Sequence, residues 1–329
     1  MLELQSLVLK PGAAPINHRF EPGRITVVLG RNRSGKTALT RVVAGLDSPV
    51  AGDVLLSGAS LIDVSPGARS VALVYQTFVN YPGWTVFENL ASPLVAARRP
   101  KERIRERVMD IAAKLGLSEF LDRLPEALSG GQQQRVAIGR ALAKGADVLV
   151  MDEPLVNLDY KLREALQLEL RNLLHELGAT VIYTTTDPRD AFALGDDLLL
   201  LADHTLLQAG TPLAVYDRPA SPAAAHLMSD PRANVLPGDP PALVRPEHLY
   251  LHPLAPDDAS FPVVVLGNET NGSETFLHCR LEAAAGTDEH WVAHLAGLVD
   301  LPAGSRVTLH APAGSLLTFD PEPEVTAFG

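Results

Sequence analysis

The chain has 329 residues, 46% of them hydrophobic and 20% charged, with a formal net charge of −11. That length accommodates two domains of ordinary size, and the composition excludes a disordered or fibrous chain. No run approaches the roughly 20 apolar residues of a membrane helix. The acidic balance argues against nucleic acid as the main partner. The single cysteine, Cys279, excludes an internal disulfide framework and suits a reducing compartment. The opening MLELQSLVLKPG lacks a basic segment ahead of an apolar core, so it does not read as a signal peptide. These features predict a cytoplasmic protein of two domains.

In chain order, RITVVLG (24–30) is a β-type run ending in glycine, and KTALTRVVAGL (36–46) follows with helical spacing. Residues 102–117 predict an amphipathic helix through Ile104, Val108, Ile111 and Leu115. DVLVMDEP (147–154) and ATVIYTTTD (179–187) are continuous apolar strands, the pattern of a parallel sheet buried on both faces. Between them, Leu162, Leu166, Leu170, Leu173 and Leu177 share one helical face, with Gly178 as a C-cap. Strands alternating with helices imply an α/β domain. After about residue 235 the character changes. NVLPGDPP (234–241) is a Pro/Gly-rich break, and LVRPEHLYL, FPVVVLG, ETFLHCRL, WVAHLAGL and SRVTLHAP are short β-type runs separated by turns. They predict a small all-β barrel or sandwich.

Three motifs carry chemistry. GRNRSGKT (30–37) satisfies G-x-x-x-x-G-K-[ST] between a strand and a helix, the setting of a phosphate-cradling P-loop. Backbone N–H groups of Gly30, Arg31, Asn32, Arg33, Ser34, Gly35 and Ala38 surround the phosphates in such a loop. Lys36 reaches the β- and γ-phosphates, and Thr37 offers its hydroxyl to Mg²⁺. DVLVMDEP delivers Asp152 as a magnesium ligand and Glu153 as the carboxylate that polarises an attacking water. Two acids at a strand end are often no more than its solvated tip; following a P-loop, they read as the second half of an ATPase site. The third motif is LSGGQQQRVAIGRAL (128–142), whose Ser129, Gly130, Gly131 and Gln132 open a helix.

With these three in order, the chain resembles the ATPase subunits of ABC transporters. The resemblance implies an α/β P-loop fold with a helical subdomain at about 90–145 inside residues 1–235, then a TOBE- or MOP-like β-barrel over 236–329. It implies ATP and Mg²⁺ as cofactors, with Gln76 joining Thr37 and Asp152 at the metal. The helix opened by Ser129 would face the γ-phosphate of a nucleotide on a second ATPase subunit, with Asp159 at the same interface. The loop from Gln76 to Asn89 would meet transmembrane permease subunits, placing the chain peripherally on the cytoplasmic face of the membrane. QAGTPLAVYDRPAS (208–221) and LVRPEHLYL resemble the carbohydrate importers. The stretch from Val74 to Leu94 and the TTTDP run resemble the subunits serving glycerol, polyol or glycerol-phosphate uptake, fed by a solute-binding protein.

The chain departs from that family pattern where catalysis occurs. Thr186 stands in the slot of a histidine that contacts the γ-phosphate and the water, so the catalytic set reads Glu153, Gln76 and Thr186. A threonine hydroxyl cannot carry charge or reach as far as an imidazole. Thr184 and Thr185 read as the end of the strand. Arg33 occupies a position commonly glycine, Val156 replaces a serine, and no aromatic residue precedes Phe20 to stack on adenine. The leading expectation is an importer ATPase driven by its own hydrolysis. The alternative is a weakly hydrolysing partner in a heterodimer whose other ATPase does most of the turnover. Thr186 favours the second and the retained Glu153 the first. A translation or DNA-repair ATPase of the same class would carry two cassettes or a coiled-coil insertion, and neither is in the sequence. The histidine pairs His248/His252 and His290/His294 read as solvated histidines of the β domain rather than metal ligands. RRPKERIRER (98–107) reads as an exposed helix face.

Overall fold

The computed structural model describes residues 1–77, 79–156, 160–238, 242–282 and 290–319. The chain divides into two compact units at Val215/Tyr216. The first begins with β1 (Leu2–Val8), β2 (Ile16–Phe20) and β3 (Ile25–Leu29), then α1 (Lys36–Ala44), β4 (Ala51–Leu56), β5 (Ala59–Ser60) and β6 (Val71–Val74). Three helices follow, α2 (Val86–Ala96), α3 (Lys101–Lys114) and α4 (Gly130–Ala143). Next come β7 (Val148–Asp152), α5 (Tyr160–Leu177), β8 (Thr180–Thr185), α6 (Pro188–Leu194) and the hairpin of β9 (Asp197–Ala202) with β10 (Thr205–Gly210).

Two sheets result. β2-β1-β4-β5 is antiparallel, and the second sheet runs β10-β9-β3-β8-β7-β6, parallel except for its β10 edge. Every residue of β3, β7 and β8 is buried, as the unbroken apolar runs require of strands covered on both faces. One core joins Leu4, Ile16 and Phe20 of the first sheet to Val28, Val150 and Ile182 of the second, with Leu39 and Val43 of α1 among them. The carboxyl ends of β3, β8, β7 and β6 lie side by side, where open α/β sheets bind ligands. The expected helical insertion is α2 to α4. Thr85 starts α2 with a capping box to Glu88, and Ile104, Val108 and Ile111 are the buried face of α3.

The second unit begins within α7 (Pro212–Asp217) and continues through α8 (Pro222–Leu227), β11 (Asn234–Leu236) and β12 (Ala242–Val244). Then come β13 (Ala259–Thr270), β14 (Glu274–Leu281), β15 (His290–Ala296), β16 (Arg306–Ala311) and β17 (Leu316–Leu317). Its sheets are antiparallel, β11-β12-β17 and β15-β14-β13-β16, so the unit is the small β domain the composition predicts. Inward residues alternate along the strands: Val263 and Val265, Leu277 and Cys279, Trp291 and Ala293. LVRPEHLYL is not one strand. β12 stops at Val244, and Pro246–His248 form a 3-10 turn, because proline cannot donate to the ladder. Arg245 before it is 2% exposed, its guanidinium 3.6 Å over the Tyr216 ring and its Nε 3.2 Å from Ser229 Oγ. His248 is therefore not on a strand. His290 and His294 do share one face of β15, yet each has a cross-strand partner: His278 at 3.1 Å and Glu274 at 2.7 Å.

Candidate nucleotide site

The P-loop leaves the end of β3 and turns into α1. Gly30 is required there, since a Cβ would lie 2.5 Å from Leu201 O and 2.3 Å from Ser34 Oγ. Gly35 caps α1 at φ 107° with no side-chain cap, and the first turn holds no acidic residue. The open N–H groups of that turn are a site for an anion. Lys36 is 3% exposed and curls back over its own loop, donating to Gly30 O at 2.7 Å and Arg31 O at 2.9 Å. Its third contact is Glu153 Oε1 at 3.2 Å. Arg31, Asn32, Arg33 and Thr37 are exposed, Ala38 is half-buried and Ser34 buried. Arg33 sits at φ 67°, a left-handed conformation that suits glycine and strains a longer residue.

Register puts the acids in place. Asp152 ends β7 opposite Thr184 of β8. The Thr184 hydroxyl, 0% exposed, donates to Asp152 Oδ1 at 2.8 Å and accepts from the Glu153 N–H at 3.0 Å. Thr37 donates to the same Asp152 oxygen at 3.4 Å. Glu153 itself is left-handed, at φ 46°, a strained geometry typical of functional positions. Gln134 of α4 donates to Pro154 O, tying the helix opened by Ser129 to the acidic loop. Ser129 caps that helix, its Oγ accepting from Gln132 N at 3.3 Å while Gln132 Oε1 accepts from Ser129 N at 2.9 Å. Gly130 is exposed and Gly131 buried.

The three threonines at the end of β8 face different things. Thr184 organises Asp152 and Glu153. Thr185, also buried, donates to Asp190 and accepts from Asp187 N at 3.0 Å. Neither is merely the strand's end, and the sequence reading missed both roles. Asp190 is gripped by Arg163 of α5 at 2.7 Å, and burial pushes its carboxyl above the usual carboxylate range against the pull of Thr185 and Arg163. Thr186 is exposed, and its side chain makes no hydrogen bond among the described residues.

A pocket of about 370 Å³ gathers Arg33, Gly35, Lys36 and Thr37 with Gln76, Glu153 and His204. Ser129, Gly130, Gly131 and Gln132 are not in its lining, and Asp159 lies outside the described residues. The lining suits a polyphosphate chain: a lysine and open amides for phosphate, with the Glu153 carboxylate beside them. Among the described residues no cluster of three or more His, Cys, Asp or Glu can hold a metal. Thr37, Gln76 and Asp152 would supply hard oxygens to Mg²⁺, which in such sites takes its remaining ligands from phosphate and water.

The ABC transporter family model matches residues 13–156, and the TOBE domain model matches residues 242–319. The sn-glycerol-3-phosphate import ATP-binding protein of Ruegeria pomeroyi is 36% identical, covering 98% of this chain and 97% of its own. Among solved structures, a component of an ABC transporter complex from Clostridium perfringens superposes at TM-score 0.61 and 26% identity, covering 65% of this chain and 90% of its own. A dimeric ATP-binding cassette in a post-hydrolysis state with ADP and phosphate gives 0.56 and 28%, over 64% of this chain and 99% of its own. Fold and site define a P-loop ATPase. The chain belongs to the ABC transporter family, as its ATP-binding, ATP-hydrolysing component with a C-terminal TOBE domain.

Proposed function

We propose that this protein is the energy-coupling subunit of an importer for glycerol phosphate or a related polyol or carbohydrate, working at the cytoplasmic face of the membrane. The solute class rests on the likeness to the glycerol-3-phosphate import protein along nearly the whole chain. No helix among the described residues is long and apolar enough to cross a membrane; in this reading the solute path belongs to transmembrane partner subunits. Their docking face is the groove of about 490 Å³ lined by Trp84, Phe87, Ala91, Val95 and Ile104. Trp84 is 45% and Val95 59% exposed, an apolar anchor pair with water on it.

The observation that carries the mechanism is the Lys36–Glu153 ion pair at the mouth of the P-loop. ATP entering the cradle draws Lys36 from Glu153 and from its two carbonyls onto the phosphates, and this frees the carboxylate to take a proton from water. Mg²⁺ on Thr37, Asp152 and Gln76 would neutralise the phosphate charge. A second ATPase subunit closes over the nucleotide with its counterpart of the Ser129 helix, and hydrolysis reopens the pair; a similar cassette is dimeric with ADP and phosphate bound.

A second reading is favoured by Thr186, which is exposed and makes no side-chain hydrogen bond among the described residues, in the slot that the resemblance gives to a γ-phosphate contact. In it, this chain pairs with a different ATPase and completes that partner's site better than it runs its own. The test is turnover of the assembled transporter. Removing a general base costs about 10²–10³-fold where that site does the work. On the unequal reading, Glu153→Gln leaves much of the activity and Ser129→Arg nearly abolishes it. Complete loss with Glu153→Gln alone assigns turnover to this chain's own site and ends the unequal reading.

A further inference from the structure

The two residues between β9 and β10 are Asp203 and His204, with Ala202 paired to Thr205. Both are left-handed, at φ 46° and 64°, the requirement of a two-residue type I′ hairpin. The second position of that turn strongly favours glycine, and histidine there is strained. The hairpin packs directly on the P-loop. His204 N donates to Ser34 O at 2.8 Å, and a Cβ on Gly35 would meet His204 Nδ1 at 2.9 Å and its Cα at 3.0 Å. The imidazole reaches the phosphate pocket, whose lining it shares with Lys36, Thr37 and Glu153. Its Nδ1 is buried without a hydrogen-bond partner among the described residues, and an orphaned buried polar atom is costly. With Nδ1 sealed against Gly35, Nε2 is the ring nitrogen left to face a ligand in the pocket that His204 lines.

We propose that His204 is a nucleotide-contacting residue: its ring donates a hydrogen bond to the phosphate chain of ATP at the Gly35–Lys36 segment of the P-loop. An imidazole carries at least one N–H in either protonation state, so the donor is available whichever form is present. Backbone places the residue beside the cradle rather than at the end of β8, so His204 adds to binding and does not stand where Thr186 stands. The inference rests on ATP binding at the P-loop and not on which subunit of the dimer turns over.

The decisive variant is His204→Gly, because it removes the ring while relieving the turn. Nucleotide-free protein is expected to melt at or above the wild-type temperature. Isothermal titration of the full chain should nonetheless show ATP and inorganic pyrophosphate binding about 10-fold or more weaker, the loss of a hydrogen bond to a charged group. His204→Asn, which tolerates the left-handed turn and keeps a donor, should recover part of that loss. Wild-type affinity for both ligands in His204→Gly would make the histidine a turn residue only and overturn the proposal. Weakened ATP binding with unchanged pyrophosphate binding would place the ring on the adenosine half, which equally refutes a phosphate contact. Lys36→Ala is the control: if wild type and Lys36→Ala bind ATP alike, the P-loop reading itself has failed, separately from His204.

Discussion

Replacing Thr184 by valine tests whether the acidic pair is held by β8. The two side chains are nearly isosteric, so packing changes little and the hydroxyl is what is lost. In the native site that hydroxyl donates to Asp152 Oδ1 at 2.8 Å and accepts from Glu153 N at 3.0 Å, with no exposure to water. A hydrogen bond to a charged group is worth about 1.5–3 kcal/mol, and a buried N–H left without a partner costs about 1–3 kcal/mol. The two losses share one atom, so about 2–4 kcal/mol in total is expected rather than their sum. For a unit of this size that is a drop of roughly 5–15 °C in melting temperature, read by calorimetry on the nucleotide-free chain. Turnover in the assembled complex should fall further than stability explains, by about 10–100-fold, because Asp152 and the Glu153 backbone lose their common support. Thr184→Ser keeps the hydroxyl and should stay close to wild type in both assays. A Thr184→Val protein that melts within a degree of wild type and hydrolyses ATP normally would show that β8 does not position these carboxylates.

Arg33→Gly should move stability and binding in opposite directions. Relief of the left-handed residue is worth about 1–2 kcal/mol, offset by about 0.5–1 kcal/mol of added unfolded-chain entropy. Melting should therefore rise by a few degrees at most, while ATP affinity measured by titration falls severalfold with the guanidinium gone from the pocket. A rise in both would make Arg33 a liability with no ligand role. Trp84→Ala should leave ATP affinity within about twofold, because the ring lies outside the phosphate pocket and surface truncations seldom disturb stability. Uptake by proteoliposomes carrying the whole transporter should drop sharply, and normal uptake would remove this groove from the membrane interface.

The parts of the site legible in the sequence were those whose chemistry is local. Gly30, Gly35, Lys36 and Thr37 are spaced by the loop itself, and Asp152 and Glu153 end an apolar strand, so motif and context suffice. The parts that were not legible depend on register between strands far apart in the chain. Thr184 is 32 positions from Asp152, and nothing in VIYTTTD says which hydroxyl falls level with the acid. The strand alternation would sort the threonines into two faces, yet Thr184 and Thr185 are both buried and both bonded, because a central parallel strand has no solvent face on which to lose one. The β domain shows the same limit. Its alternating runs announce β13 to β16, whereas the burial of Arg245 follows from a ring and two oxygens supplied by residues 216 and 229. His204 was the most legible of the omissions. ADHTL between two apolar runs is a two-residue hairpin with histidine where glycine belongs, and such a breach of turn chemistry is a reason to ask what the side chain touches. The answer needs the structure, since only the packing of the hairpin on Gly35 brings that ring to the phosphate cradle.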